Sequence, residues 1–278
     1  MLLLRRCSRP LLLAEKLLSR RCVGAATSHH FDSLAPDWWN ESGPVKALHA
    51  MNAVRVPWIV DKLLDGGGGD ALSKGLPLSG VQILDSGCGA GILTEPLARL
   101  GANVVGVDES AACTAAAEKH LAMGGSFAGS LRYVHSSLQD FQSGEAVAER
   151  RRFDVVVASE IVEHVVEKAA FLSACLELLK PSGHFFFTTI NRSRLAKFLA
   201  IDLAESLLGV VPKGTHQHEL FLSPQELRAL LEREGGASVR QIHGLLYNPL
   251  TCRWSWIRDT SVCYGLYGRK ASSQSSLE

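Results

Sequence analysis

The stretch GVQILDSGCGAG, residues 80–91, decides how the chain reads: an apolar run closes on an acid, Asp85, and glycines follow at 87, 89 and 91. Four apolar or small residues leading into a glycine cluster have the length of a buried strand. Glycines at alternate positions let the backbone turn sharply and pass close under a ligand, with no Cβ in the way. A dinucleotide-binding turn would read G-x-G-x-x-G, but Ile92 follows Gly91, so the third glycine falls one position early and a nicotinamide cofactor is disfavoured. A turn that binds nothing is the plainer alternative.

Downstream, ILTEPLARLGA fits a helix closed by Gly101. Then NVVGVD, LRYVHS, FDVVVAS and GHFFFTT recur as short apolar strands, with helical stretches such as AACTAAAEKHLAM and AFLSACLELLKPSG between them. ASVRQIHGL and TSVCYGLYGRK add two strands, seven in all. This alternation predicts an α/β fold, a doubly wound and mostly parallel seven-stranded sheet with helices on both faces. DGGGGDALSKG, residues 65–75, separates it from an N-terminal helical portion.

Of the 278 residues, 46% are hydrophobic, enough for one sizeable core. Lysine plus arginine at 29 nearly cancels aspartate plus glutamate at 28, so net charge offers no footprint for nucleic acid and favours a small-molecule substrate. Seven scattered cysteines without a C-x-x-C pair suggest neither a disulfide framework nor a thiolate zinc cluster. Residues 1–28 are basic and acid-poor, with Leu13 and Leu17 on one helical face and Lys16 and Arg20 on another, the pattern of a mitochondrial transit peptide. The catalytic domain is expected over 29–270 and a disordered tail over 271–278. No apolar run reaches the roughly 18 residues of a membrane span.

Two constellations carry chemistry. Asp108 ends the second strand, where an acid can accept hydrogen bonds from both hydroxyls of a ribose, although it could equally cap the next helix. In ASEIVEHV, residues 158–165, Glu160, Glu163 and His164 fall at i, i+3 and i+4. On a helix they would share one face and could hold a metal ion, or simply form a solvated helix start.

Strand, G-x-G-x-G turn and strand-terminal acid together resemble the class I S-adenosylmethionine-dependent methyltransferases, whose fold is Rossmann-like. DWWNESGPVKALHAMNAVRVPWI (37–59), ASEIVEHV, LLKPSGHFFFTTINRS, GVVPKGTHQHELFLSP and GLLYNP are similar, more specifically, to the ubiquinone-biosynthesis O-methyltransferases, from about Phe31 to about Tyr267. Where that family commonly has a triple-glycine turn, this chain has Ala90 in the middle and Ser86 before it, which is compatible if φ at Ala90 is negative.

The resemblance implies S-adenosyl-L-methionine as methyl donor. Arg55 would hold its carboxylate, Asp85, Gly87 and Gly89 the methionine side of the turn, Asp108 the ribose, Ser137 and Leu138 the adenine, and Ser159 a place beside the sulfonium. It also implies a divalent cation, most readily Mg2+, on Glu160, Glu163 and His164. His164 and His216 are the candidate catalytic residues, with His216 and His218 as candidates for a general base or a substrate contact. The implied substrates are polyprenylated dihydroxybenzoate and demethylubiquinol intermediates. The implied setting is the matrix face of the mitochondrial inner membrane, in a complex with other proteins of the pathway. There, the amphipathic stretch 194–214 would lie in the membrane interface. Two other functions fit the same motifs: a metal-independent methyltransferase of another small phenol or carboxylate, and a noncatalytic S-adenosylmethionine-binding assembly factor.

Overall fold

The computed structural model describes residues 31–65, 76–124, 126–144, 153–198 and 217–272. The presumed transit peptide, most of the glycine-rich joint, His216, most of the 194–214 stretch and residues 273–278 lie outside the described residues.

The first long helix among the described residues is α1 (Lys46–Asp65), followed by an alternating series: β1 (Gln82–Ser86), α2 (Thr94–Arg99), β2 (Asn103–Asp108), α3 (Ala111–Met123), β3 (Leu131–His135), α4 (Leu138–Ser143), β4 (Phe153–Ser159), α5 (Lys168–Leu178) and β5 (Leu179–Ile190). Helix α6 (Pro224–Gly235) and the strands β6 (Ala237–Asn248), β7 (Arg253–Ile257) and β8 (Cys263–Lys270) complete it. All lie in one sheet of order β3-β2-β1-β4-β5-β8-β6-β7. The first five positions are parallel and the last three antiparallel.

Val155, Val156 and Val157 of β4 are all buried, as are Ile83 and Leu84 of β1, because helices cover both faces of the sheet. One core layer packs α4, α5 and α6 on the sheet through Phe141, Leu172, Leu176 and Leu231. The other packs α1 and α2 through Trp58, Ile59 and Leu97. Helix α6 starts at a reciprocal cap, Ser223 with Glu226, and stops at Gly236 in the left-handed region.

The sheet has eight strands instead of the expected seven. β6 runs on to Asn248, turns, and returns as β7 (RWSWI) along its edge. The crossover lies at β1, whose neighbours β2 and β4 are reached by connections leaving in opposite directions. Ligands of doubly wound sheets bind at that point, beyond the carboxyl ends of the strands.

Candidate active site at the carboxyl ends of β1, β2 and β4

The glycine turn after β1 takes its shape from three positive φ angles, +73° at Gly87, +54° at Gly89 and +91° at Gly91. Side chains are also excluded by space. A Cβ on Gly87 would sit 2.5 Å from Ile161, and one on Gly89 2.8 Å from Trp38. Ala90 is not among the positive-φ residues, so the alanine replacing a glycine is accommodated as expected. β2 holds the turn from beside it: one carboxylate oxygen of Asp108 accepts from the Gly89 amide and the other from the Ser110 amide, each at 2.8 Å.

Arg55, Asp85, Gly87, Gly89, Asp108, Ser159 and Glu160 line one cleft of about 750 Å³, counting its open mouth. Six residues expected at the cofactor, and Glu160 expected at the metal, thus line a single cleft. An adjoining pocket shares Gly87 and Asp108 and is lined by Ser136 and Leu138. Ser137, expected there as well, caps α4 with its hydroxyl, which accepts from the Asp140 amide and donates to the Asp140 carboxylate. Phe31 and Trp38 also line this cleft. Neither was foreseen, because their proximity arises from tertiary folding and has no signature in spacing.

Arg55 is 4% exposed, and its guanidinium donates to Ser159 Oγ at 2.7 Å and to Asn52 Oδ1 at 2.7 Å. Burial lowers its pKa to about 10, offset in part by Glu160 and Asp85, so it stays charged at neutral pH. Burial raises Asp85 to about 6 against the hydrogen bond from Thr94 Oγ1 at 2.6 Å. Asp108 is also pushed up by burial, and its two backbone hydrogen bonds oppose that rise.

The E-x-x-E-H segment departs from expectation. It is not an α-helical face. Glu160 stands in the left-handed region at φ 56°, its amide tied to the Thr188 carbonyl at 2.9 Å, and only Val162–His164 form a short 3-10 turn. The reversal at Glu160 removes the i, i+3, i+4 relation on which convergence depended. Glu163 is buried, accepts from Thr189 Oγ1 at 2.7 Å, and is raised to about 8 by burial and then by Glu160. His164 sets its ring edge-on to Phe31, centroids 5.2 Å apart. Among the described residues no group of three or more His, Cys, Asp or Glu side chains is gathered to hold a metal ion, so the three-ligand site does not fit this geometry.

A doubly wound sheet with a glycine turn at its switch point and an acid closing the next strand defines a class I methyltransferase. A family model described as a methyltransferase domain matches residues 61–240. The rat ubiquinone biosynthesis O-methyltransferase, mitochondrial, is 42% identical over 89% of this chain and 70% of its own length. The protein of that name from Methylobacterium sp. (strain 4-46) is 41% identical over 87% of this chain and 93% of its own. The chain belongs to the ubiquinone biosynthesis O-methyltransferase family, and is an S-adenosylmethionine-dependent O-methyltransferase. The fold is shared with magnesium protoporphyrin IX methyltransferase (ChlM) from Synechocystis PCC 6803 with bound SAH, at 18% identity and a TM-score of 0.58, covering 92% of this chain and 100% of that one.

Proposed function

We propose that this enzyme methylates ring hydroxyls of polyprenylated dihydroxybenzoate and demethylubiquinol intermediates in ubiquinone biosynthesis. The observation that carries the cofactor half of this reading is the cleft itself, lined by a buried, charged Arg55, by two carboxylates, the buried Asp85 and the half-buried Asp108, and by a turn of positive-φ glycines. The relatives' shared name supports the substrate half.

In this reading Arg55 meets the cofactor carboxylate through parallel N–H donors, the arrangement for which a guanidinium is suited. Asp85 faces the cationic methionine end. Asp108 accepts from the ribose with lone pairs that its two backbone bonds leave open. Ser136 and Leu138 flank the adenine together with the buried Ser137. Methyl transfer is an in-line displacement. A lone pair on the phenolic oxygen forms the new O–C bond as the C–S bond breaks, and the electrons return to sulfur, leaving a neutral thioether. The phenol must lose its proton, which in water needs a pH near 10, so a base beside the acceptor lowers the barrier. His164, buried and edge-on to the cleft residue Phe31, is our candidate, with His216 as the second.

Glu160 and Glu163 carry the oxygen donors that a magnesium-type ion takes and His164 is turned to Phe31, so a divalent cation bound here would have the two carboxylates alone. No step is assigned to it. The mitochondrial location follows the relatives' names and the basic N-terminus. Peripheral attachment to the matrix face of the inner membrane and assembly with other pathway proteins belong to the same proposal, and no helix among the described residues is long and apolar enough to cross a membrane. The test is a methylation assay of the mature protein with labelled S-adenosylmethionine and short-chain prenylated dihydroxybenzoate. Labelled methoxy product supports the reading, and transfer only to an unrelated phenol overturns its substrate half. A chelator arm tests the cation: turnover lost on chelation and restored by Mg2+ supports it, and unchanged turnover removes it.

A further inference from the structure

The eighth strand invites a reason for its presence. β7 presents Trp254 and Trp256, two residues apart and therefore on one face, to the side of α1. The Trp254 indole N–H donates to the Ala47 carbonyl at 2.8 Å, and the Trp256 indole N–H to the Val54 carbonyl at 3.3 Å. These carbonyls belong to one helix, seven residues apart, and a carbonyl has a second lone pair free for such a bond. Both rings pack in a cluster with Met51 and Val54, and Trp256 also lies against Trp58, centroids 4.8 Å apart.

Helix α1 has a built-in weakness at this level. Pro57 stands inside it and has no N–H to give the Ala53 carbonyl, so one rung of the ladder is missing. Arg55 lies between those two residues. Its side chain must cross from α1 to Ser159 at the end of β4, a contact between residues 104 positions apart in the chain. A helix free to bend at Pro57 would swing the guanidinium by more than a hydrogen bond tolerates.

We infer that Trp254 and Trp256 are positioning residues: the β6–β7 hairpin braces the proline-weakened turn of α1 and thereby fixes Arg55 for the cofactor carboxylate. This rests on the carboxylate role given to Arg55 above. Neither tryptophan lines the cleft, so the effect is transmitted through α1.

The experiment compares two ligands, S-adenosylhomocysteine, which carries the carboxylate, and 5′-methylthioadenosine, which lacks the amino-acid group. Calorimetry on wild type, Trp254→Phe, Trp254→Phe with Trp256→Phe, and Arg55→Ala reads both dissociation constants. The phenylalanines keep an aromatic ring at each position while removing the donor and part of the packed surface, and 5′-methylthioadenosine reports any general loosening that the smaller ring causes. The expected result is a loss of S-adenosylhomocysteine affinity of roughly fivefold to tenfold in the double variant, with 5′-methylthioadenosine unchanged, and no further loss when it is combined with Arg55→Ala. Should the double variant fail to fold, Trp254→Phe alone is expected to show the same selective loss at roughly half the free-energy effect. Equal losses for both ligands, or none, in a folded variant overturn the brace. If Arg55→Ala itself spares S-adenosylhomocysteine, the carboxylate reading fails first and the inference falls with it.

Discussion

Asp85 is the residue whose charge the cofactor should change. Burial holds its pKa at about 6 against an ordinary 3.8, so a large fraction is protonated in mild acid. A sulfonium and an ammonium brought beside it favour the carboxylate. Affinity for S-adenosylmethionine is therefore expected to rise from pH 5 to pH 7 and then level off, and Asp85→Asn should flatten that profile. The unliganded fold has the opposite dependence. The native state binds this proton more tightly than the unfolded chain, so the stabilisation is complete below about 3.8 and is lost as pH rises through about 6. The loss is about 3 kcal/mol for the shift cited. The rise in melting temperature on adding cofactor should consequently grow over the same interval, and a shift equal at pH 5 and pH 7.5 would place the positive charges elsewhere. Asp108 works differently, since it holds both the turn and, in the proposed complex, the ribose. Asp108→Ala is expected to weaken cofactor binding by about 1.5 to 3 kcal/mol. Unchanged calorimetric affinity in the folded variant would remove it from the site.

The segment between β4 and α5 stores conformational strain at the acidic cluster. A glutamate at φ 56° costs about 1–2 kcal/mol relative to a residue without a Cβ. Glu160→Gly is therefore expected to raise stability in urea by up to about 1 kcal/mol, after the greater flexibility of glycine in the unfolded chain is allowed for, while turnover falls sharply. A variant that is both less stable and fully active would show that the reversed backbone serves neither function nor strain. The same segment marks where sequence reasoning stops. The glycine turn was legible because spacing exposes positions that need φ > 0, and the parallel strands were legible as apolar runs. Asp108 followed from its place at the end of the second strand, whereas the roles of Arg55 and Asp85 came only from the family resemblance. The reversal at Glu160 was hidden: it depends on the bond of its amide to Thr188 of a neighbouring strand, while local periodicity suggested a helical face. β7 was hidden for a related reason, since RWSWI is only five residues long and none of them is fully buried, leaving little apolar signal. Trp38 in the cleft lining meets Gly89 from more than 50 residues away, a contact no local pattern encodes.

At the scale of the whole molecule, three of the six large apolar side chains exposed among the described residues lie on the chain after β5 and on the β6–β7 turn, the others being Met123, Val166 and Leu246. β8 pairs Cys263 with Ile190 at the carboxyl end of β5, and β6 pairs Leu245 with the same Cys263. The chain beyond Ile190 and the turn beyond Asn248 therefore both project past the carboxyl edge of the parallel strands. Leu195 and Phe198 on the first are 46% and 54% exposed, and Leu250 on the second is 93% exposed. Under the proposed function the acceptor keeps a prenyl tail in a bilayer, and these side chains would then be the ones to meet the lipid surface. Arg194, Lys197 and Arg253 stand close by in sequence, with the charge that anionic headgroups attract. The mature protein is thus expected to float with liposomes containing anionic lipid. Changing Phe198 and Leu199 to aspartate should reduce flotation and turnover of a long-tailed substrate while sparing a short-chain soluble analogue. Leu250→Asp, on the β6–β7 turn, should act in the same direction, because insertion energy adds over the residues that enter the interface. Salt should weaken binding of the wild type, since part of the attraction is electrostatic. Equal flotation of wild type and all variants would mean that these residues cover another part of the protein, and that the substrate reaches the cleft by some route other than docking at this edge.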